Sequence, residues 1–284
     1  MRTLPSLLRR HLAALRALLV LTAVCGVAYP FAVLAVAQLP GLRHRADGSS
    51  VTVAGRAVGS SLIGQSFTDK DGRPLKQYFQ SRISNAGDGY DPTATAASNL
   101  GPEDVVDTRT DSLLTRVCAA SLAVGRLEGV DGSRPFCTAD GRGAVLAVFG
   151  PRDRTGEVVR PTRVVSVNQA CPAKPFLVVY RGVRVECAAR GADYSAGRIV
   201  PIRGDAPARP VVPTDAVTGS GSGLDPHISV AWARLQADRV ARARGLPVAR
   251  VLHLIDVHTT GRAFGFMGEP SVDVLGLNIA LDRG

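Results

Sequence analysis

An uncharged apolar run, Ala17 to Leu42, follows a basic segment holding Arg2, Arg9, Arg10 and Arg16, and beyond it the chain stays polar to its end. A bilayer's hydrocarbon core is roughly 30 Å thick and a helix rises about 1.5 Å per residue, so about 20 apolar residues cross it. Ala17 to Ala37, rich in Ala, Leu and Val, meets that length. The arginines before the run outnumber Arg43 and Arg45 just after it, an excess that places the N-terminus in the cytoplasm. The expected topology is a tail over residues 1–15, a transmembrane helix over 16–38 and everything later outside the cell. Two other readings compete. Ala35-Val36-Ala37 has the form of a signal-peptide cleavage site, but signal apolar regions run about 7–15 residues and this one is longer. Cys25 as a lipid-attachment site would call for a small residue before it, where Val24 is bulky.

The net charge of +10 is carried almost wholly by Arg, with lysine only at Lys70, Lys76 and Lys174. The arginines are scattered among acids and small residues without aromatic interleaving, helix-turn-helix or zinc pattern, which argues for a solvated surface and against nucleic acid. Of the five cysteines, Cys25 is inside the apolar run, while Cys118, Cys137, Cys171 and Cys187 lie together in the later, exported part. An even set there, with no C-x-x-C spacing and no histidine between residues 45 and 226, predicts two disulfides rather than a metal site. Three pairings are open to four cysteines. Short loops favour Cys118 with Cys137 and Cys171 with Cys187, leaving Cys25 reduced.

Local patterning divides the exported part into three. Val51 to Leu62 reads as short strands or a hairpin, and Gly64 to Pro102, broken by turns such as Asn85-Ala86-Gly87-Asp88-Gly89, as a long surface loop system. A β-rich unit follows, with runs at Ala144 to Phe149, Arg163 to Val167, Phe176 to Tyr180, Val183 to Cys187 and Arg198 to Ile202. Near the end, Asp225 caps a predicted helix with Pro226 in its first turn and Gly245 as its stop. A second helix starts near Pro247 and ends by Gly261, and Ser271 to Leu281 suits a terminal strand.

Chemistry-bearing patterns are sparse. Gly219-Ser220-Gly221-Ser222-Gly223 meets a Gly-x-Ser-x-Gly pattern, but Pro213 stands where the strand of a nucleophile elbow would be. No Gly-Lys-Ser/Thr follows to make it a phosphate loop, so it reads as a flexible entry to a helix. His253 and His258 are five apart, not the three or four that put two metal ligands on one helix face.

Several ordered pieces are more specific. They are Gly26-Val27-Ala28-Tyr29-Pro30 with Gln38, Gly59 to Phe67, Tyr78-Phe79-Gln80-Ser81-Arg82, Tyr90-Asp91-Pro92 and Ala97-Ser98-Asn99-Leu100-Gly101-Pro102. Ser220 to Ser229, His258-Thr259, Gly261-Arg262, Gly268-Glu269-Pro270 and Asn278 to Asp282 follow in the same sense. Together, over roughly residues 18–115 and 213–284, they resemble the C subunit of the Kdp-type potassium-transporting ATPase, the KdpC family. Ile83 departs from the family's usual proline, and the block over 117–212 exceeds what the family leads one to expect there.

The resemblance implies a single span carrying an extracytoplasmic α+β core over 39–116 and 213–284, with a β-rich, cysteine-containing insertion over 117–212. It implies a non-catalytic subunit in a bacterial plasma membrane. Its partners would be a channel-like A subunit that conducts potassium, a P-type ATPase B subunit and a small F subunit. ATP, potassium and magnesium would then belong to the complex, and this chain would hold no cofactor or metal of its own. Family members are also described as catalytic chaperones that raise the ATP affinity of the B subunit, through a Ser-Gly-Leu-Asp segment that would be Ser222 to Asp225 here. The arginine asymmetry puts that segment opposite cytoplasmic ATP, so Ser222 and Asp225 are expected to serve as loop and helix cap. Helix packing is expected at Gly26, Ala28, Tyr29, Pro30 and Gln38, and a motif-bearing surface at Gln65, Tyr78, Ser81, Arg82, Asn99, Ser222, Gly223 and Asp225. An anchored extracytoplasmic hydrolase using Ser220 or Ser222 is the alternative, and a free-standing binding module a third.

Overall fold

The computed structural model describes residues 6–97 and 99–283. Arg2 and the rest of residues 1–5 of the expected tail, Ser98 of the Ala97 to Pro102 motif, and Gly284 lie outside them. The chain forms two compact units, residues 1–62 and 63–284.

In the first unit, helix α1 (Ser6–Ala23), a π-helical turn (Val24–Ala28) and helix α2 (Tyr29–Ala37) run on without a break. From Leu8 to Ala37 this stretch holds an 18-residue window with a mean hydropathy of 2.3 and is long and apolar enough to cross a membrane. Its side chains project outward, Leu18 61% and Phe31 66% exposed, which a soluble helix of this composition would not tolerate. Pro30 sits in the first turn of α2. Lacking an N–H, it cannot bond the carbonyl of Gly26, and its ring would crowd that carbonyl, so the π turn just before it provides the interruption expected at this proline. A short helix α3 (Arg43–Ala46) leads to strands β1 (Ser50–Val53) and β2 (Arg56–Ser60), an antiparallel hairpin. Ala54 and Gly55 turn it with φ of 49° and 77°, the positive pair that a two-residue hairpin of matching twist requires.

The second unit opens with the irregular stretch up to Pro102, and here the structure corrects the expectation of a surface loop. Phe79 and Ala86 are fully buried and Tyr90 nearly so. The backbone N–H and C=O of Phe79 bond the side-chain amide of buried Asn278, and Gln80 bonds Gln236 in the same manner. The segment lacks strand partners yet enters the core, because two buried amides take over its backbone bonding.

Helix α4 (Leu113–Glu128) follows, capped by Ser112 and stopped by left-handed Gly129. It overlaps the start of the block read as β-rich, a helix not foreseen from sequence. Strands β3 (Val145–Phe149), β4 (Arg163–Ala170), β5 (Val179–Tyr180), β6 (Val183–Ala188) and β7 (Arg198–Pro201) form a sheet in the order β5-β6-β4-β3-β7. All neighbours are antiparallel except β4 and β6. Disulfides join Cys118 to Cys137 and Cys171 to Cys187, and Cys25 is unpaired and exposed. Each bridge closes a loop of 19 or 16 residues, for which about 3 kcal/mol of stabilisation is typical.

The C-terminal part holds strand β8 (His227–Ser229), helices α5 (Val230–Arg244) and α6 (Val248–Val257), strands β9 (Thr259–Thr260) and β10 (Ser271–Asp273), and helix α7 (Val274–Asp282). The sheet order is β8-β10-β9, antiparallel throughout. Two expectations change here. The first helix is capped by Ser229, whose hydroxyl accepts from Trp232 N–H, not by Asp225. Residues 227–229 are instead drawn into β8, which buries Ile228 against Val272. The C-terminal segment is a strand only to Asp273, which then caps α7. The core unites Phe79, Trp232, Val240, Val251, Ile255, Val272 and Leu277.

Candidate functional site

The motif residues of the second unit converge on Arg82. Its guanidinium donates to Gly219 O at 2.9 Å and faces the Asp225 carboxylate at 3.5 Å, while its backbone carbonyl accepts the Tyr90 hydroxyl. Ser84 donates to Gly223 O at 2.7 Å, and Ser81 donates to Gln65 O at 2.9 Å. Two glycines make the approach possible. A Cβ on Gly223, whose φ is 71°, would fall 2.7 Å from Ala96 O, and one on Gly64 would fall 2.5 Å from the Tyr90 ring. Arg82 and Ser84 therefore stitch the 64–90 segment to Gly219, Gly223 and Asp225, while Ser81 and Gln65 tie that segment to itself.

Other motif residues stand apart from this junction. Tyr78 donates to Asp282 at 3.1 Å and lies 4.9 Å beneath the Arg244 guanidinium, pinning the end of α7. Asn99 is exposed and borders, with Asn85, Asp111 and Arg116, a shallow recess against the start of α4. Ser220 and Ser222 accept from the N–H groups of Asp225 and Leu224, the role of turn formers. In the first unit, Gly26 and Ala28 lie in the π turn, Tyr29 is exposed beside Pro30, and Gln38 ends α2.

Sequence reasoning missed His227. Its Nδ1 lies 3.3 Å from Asp225 Oδ1, and the carboxylate also accepts the His227 backbone N–H at 2.9 Å. The hydrogen bond to Asp225 outweighs burial and, helped by the nearby Asp273, raises the imidazole's pKa. Burial alone would push Asp225 up, but its bonds from His227 and the charges of His227 and Arg82 hold it below the usual carboxylate range. A raised histidine stabilises the fold below about pH 6.5 and ceases to as pH rises through its folded value. A lowered aspartate stabilises above about pH 3.9 and ceases to as pH falls through its own. The pair therefore contributes most between about pH 4 and 6.5. Thermal unfolding of the full chain in detergent should show greater stability at pH 6 than at pH 8.5, and His227→Gln should shrink the difference. An unchanged profile in the variant would remove this pair from the account.

These junctions use the segments that the sequence motifs singled out, and comparison with known proteins explains why. The sequence matches the family described as KdpC: K+-transporting ATPase, c chain, over residues 11–120 and 194–283. The chain belongs to the KdpC family. It is 40% identical over 278 residues to the "Potassium-transporting ATPase KdpC subunit" of Kineococcus radiotolerans, covering 98% of this chain and 95% of that one. The proteins of the same name from Mycobacterium tuberculosis H37Rv and Streptomyces coelicolor are 34% and 36% identical, with 97% and 96% of this chain covered and 98% and 92% of theirs. Residues 121–193 lie between the two stretches that match the family, yet the KdpC relatives align across them. The alignments with these relatives thus extend over a block that the family match leaves out.

Proposed function

We propose that this chain is a non-catalytic accessory subunit of a high-affinity potassium-uptake complex. It holds a channel-like potassium-conducting subunit and an ATP-hydrolysing P-type subunit together, with the small F subunit as a further neighbour. The family match at both ends of the chain carries this reading. ATP, magnesium and potassium then act in the complex, and this chain binds none of them itself. The uncovered apolar helix supports a single-pass location in the bacterial plasma membrane. The arginine excess before that helix supports a cytoplasmic N-terminus, and the two disulfides support an oxidising exterior for the second unit.

The division into a span over 16–38, an α+β core over 39–116 and 213–284 and an inserted block over 117–212 is kept as part of this reading. A chaperone effect on ATP affinity is placed in the contacts with the ATPase subunit, not in nucleotide held by Ser222 and Asp225. Those groups are engaged within the chain, Ser222 with Leu224 and Asp225 with Arg82 and His227. The same engagement of Ser220 and Ser222 speaks against the hydrolase alternative.

A strain lacking this gene should fail to grow at limiting potassium and grow normally at high potassium. The wild-type gene and one carrying Ser220→Ala with Ser222→Ala should both restore growth. Restoration by the first alone, with the complex intact, would overturn the non-catalytic reading.

A further inference from the structure

Strands β4 and β6 run parallel and pair regularly from Val164 with Val185 to Ser166 with Cys187, but the next partners are Ala170 and Ala188. Val167, Asn168 and Gln169 are therefore surplus on β4, a bulge that disrupts the ladder where the two strands end. A recess of about 1000 Å³ lies there, walled by residues 106–111, by the bulge and by residues 188–195. Small-molecule sites span roughly 300–1,000 Å³, so the recess is large enough to be one. Its frame is fixed. The Cys171–Cys187 disulfide ties the two strand ends together, and Cys171 N–H donates to Ala188 O at 2.9 Å. The Tyr194 hydroxyl accepts the Ala189 N–H at 2.7 Å, which pins the loop that carries Arg190. Every carboxylate of the lining is engaged within the chain: Asp107 and Asp111 with Arg142, Asp140 with Gln169, and Asp193 with Ser195. The remaining two cations, Arg109 and Arg190, stand on different walls, both exposed and with no hydrogen bond or ion pair among the described residues. Arg109 belongs to a stretch that matches the KdpC family, and Arg190 to the block between the two matched stretches.

We propose that this recess binds a small organic anion, its carboxylate or phosphate group held by Arg109 and Arg190 and its apolar body lying on Val106, Val167 and Ile199. A guanidinium forks onto two oxygens of either group, and such charge-assisted bonds are roughly twice as strong as neutral ones. A cation finds no free carboxylate here, because each one is already satisfied inside the chain. An anion held by both arginines ties the segment before α4 to the block that the family match leaves out, and so stabilises the second unit by mass action. The recess shares no residue with the Arg82 junction and does not depend on the accessory-subunit reading.

The test uses the full-length chain in a non-ionic detergent, with phenyl phosphate and benzoate as probes, phenol as the uncharged comparison and empty micelles as the blank. Saturation-transfer NMR titrations should show at least one of the two anions binding with a dissociation constant below roughly 10 mM, and phenol binding at least about ten-fold more weakly. Arg109→Gln with Arg190→Gln should weaken the bound anion at least about ten-fold, the scale of one lost charge-assisted bond. Neither arginine bonds within the chain, so thermal unfolding of this variant without the probe should match the wild type. Arg154→Gln with Arg209→Gln removes the same charge from exposed arginines outside the recess and should leave binding unchanged. Tighter binding of phenyl phosphate assigns the site to a phosphate, and tighter binding of benzoate to a carboxylate. Failure of both anions to bind, phenol binding as tightly as they do, or undiminished binding in the Arg109 and Arg190 variant would each overturn the site. Equal losses in the two variants would also overturn it, by reducing the effect to attraction toward a basic surface.

Discussion

Arg239→Ala is expected to destabilise the second unit by about 3–5 kcal/mol, the range for removing one member of a buried ion pair. Arg239 and Glu128 are almost wholly inaccessible, and the Arg239 Nε lies 3.0 Å from both Glu128 carboxylate oxygens. The same guanidinium donates to the carbonyls of Lys76 and Tyr78 and to Gln236 Oε1, so its loss removes three further hydrogen bonds along with the ion pair. Burial already pushes the Glu128 carboxyl above its usual range despite Arg239, so deleting its partner leaves the acid neutral at a cost or charged at a greater one. The double replacement Arg239→Met with Glu128→Leu should recover much of the loss, because matched apolar groups in place of a buried pair are often near neutral. Urea titration of the full chain in detergent measures all three. A single-variant loss below about 1 kcal/mol would mean that the pair behaves as a solvated one. The pair joins α4 to α5 and to the irregular segment at Lys76 and Tyr78, so its removal loosens three parts of the fold at once.

That network also shows where the sequence stopped being readable. The apolar run, the β1–β2 hairpin, the strands of the larger sheet and the Gly245 stop of α5 all follow from local pattern. Arg239 was not marked as a core residue because periodicity places charge outside, and only a partner more than one hundred positions away reverses that. Helix α4 carries cap and stop residues in Ser112 and Gly129, but its inner face is Thr115, Cys118, Ser121 and Gly125, too small and polar to register as an apolar stripe. Gly125 is small for a reason, since a Cβ there would meet the Gly132 backbone at 2.6 Å. The alternation of Leu277, Ile279 and Leu281 predicts a strand where helix α7 forms. Its buried set is Val274, Leu275, Leu277, Asn278 and Leu281, a helical spacing whose polar member is inside because it bonds Phe79. At the Arg82 junction the residue types were legible through the family motifs, but the His227 partnership was not, because Asp225 was assigned to a helix cap.

Gly26→Leu combined with Ala28→Leu is expected to release the subunit from its complex, reducing co-purification with the ATPase subunit by about ten-fold or more. The span has no internal reason to keep small residues here. A Cβ built on Gly26 comes no closer than 3.8 Å to Thr22, and leucine is otherwise a better helix former than glycine. The chain on its own should therefore tolerate the pair, and its insertion and helicity should be preserved. What the small residues offer is close approach for a neighbouring helix, with Thr22 and Gly26 four apart and the π turn before Pro30 altering the groove. Leu18→Ala, on an exposed part of the same helix outside the π turn, serves as a control and should leave association unchanged. Comparing membrane-integrated amount with co-purified amount separates failed insertion from failed packing. If the double variant stays in the complex at wild-type level, the helix acts only as an anchor, and the grip on the other subunits must come from the second unit.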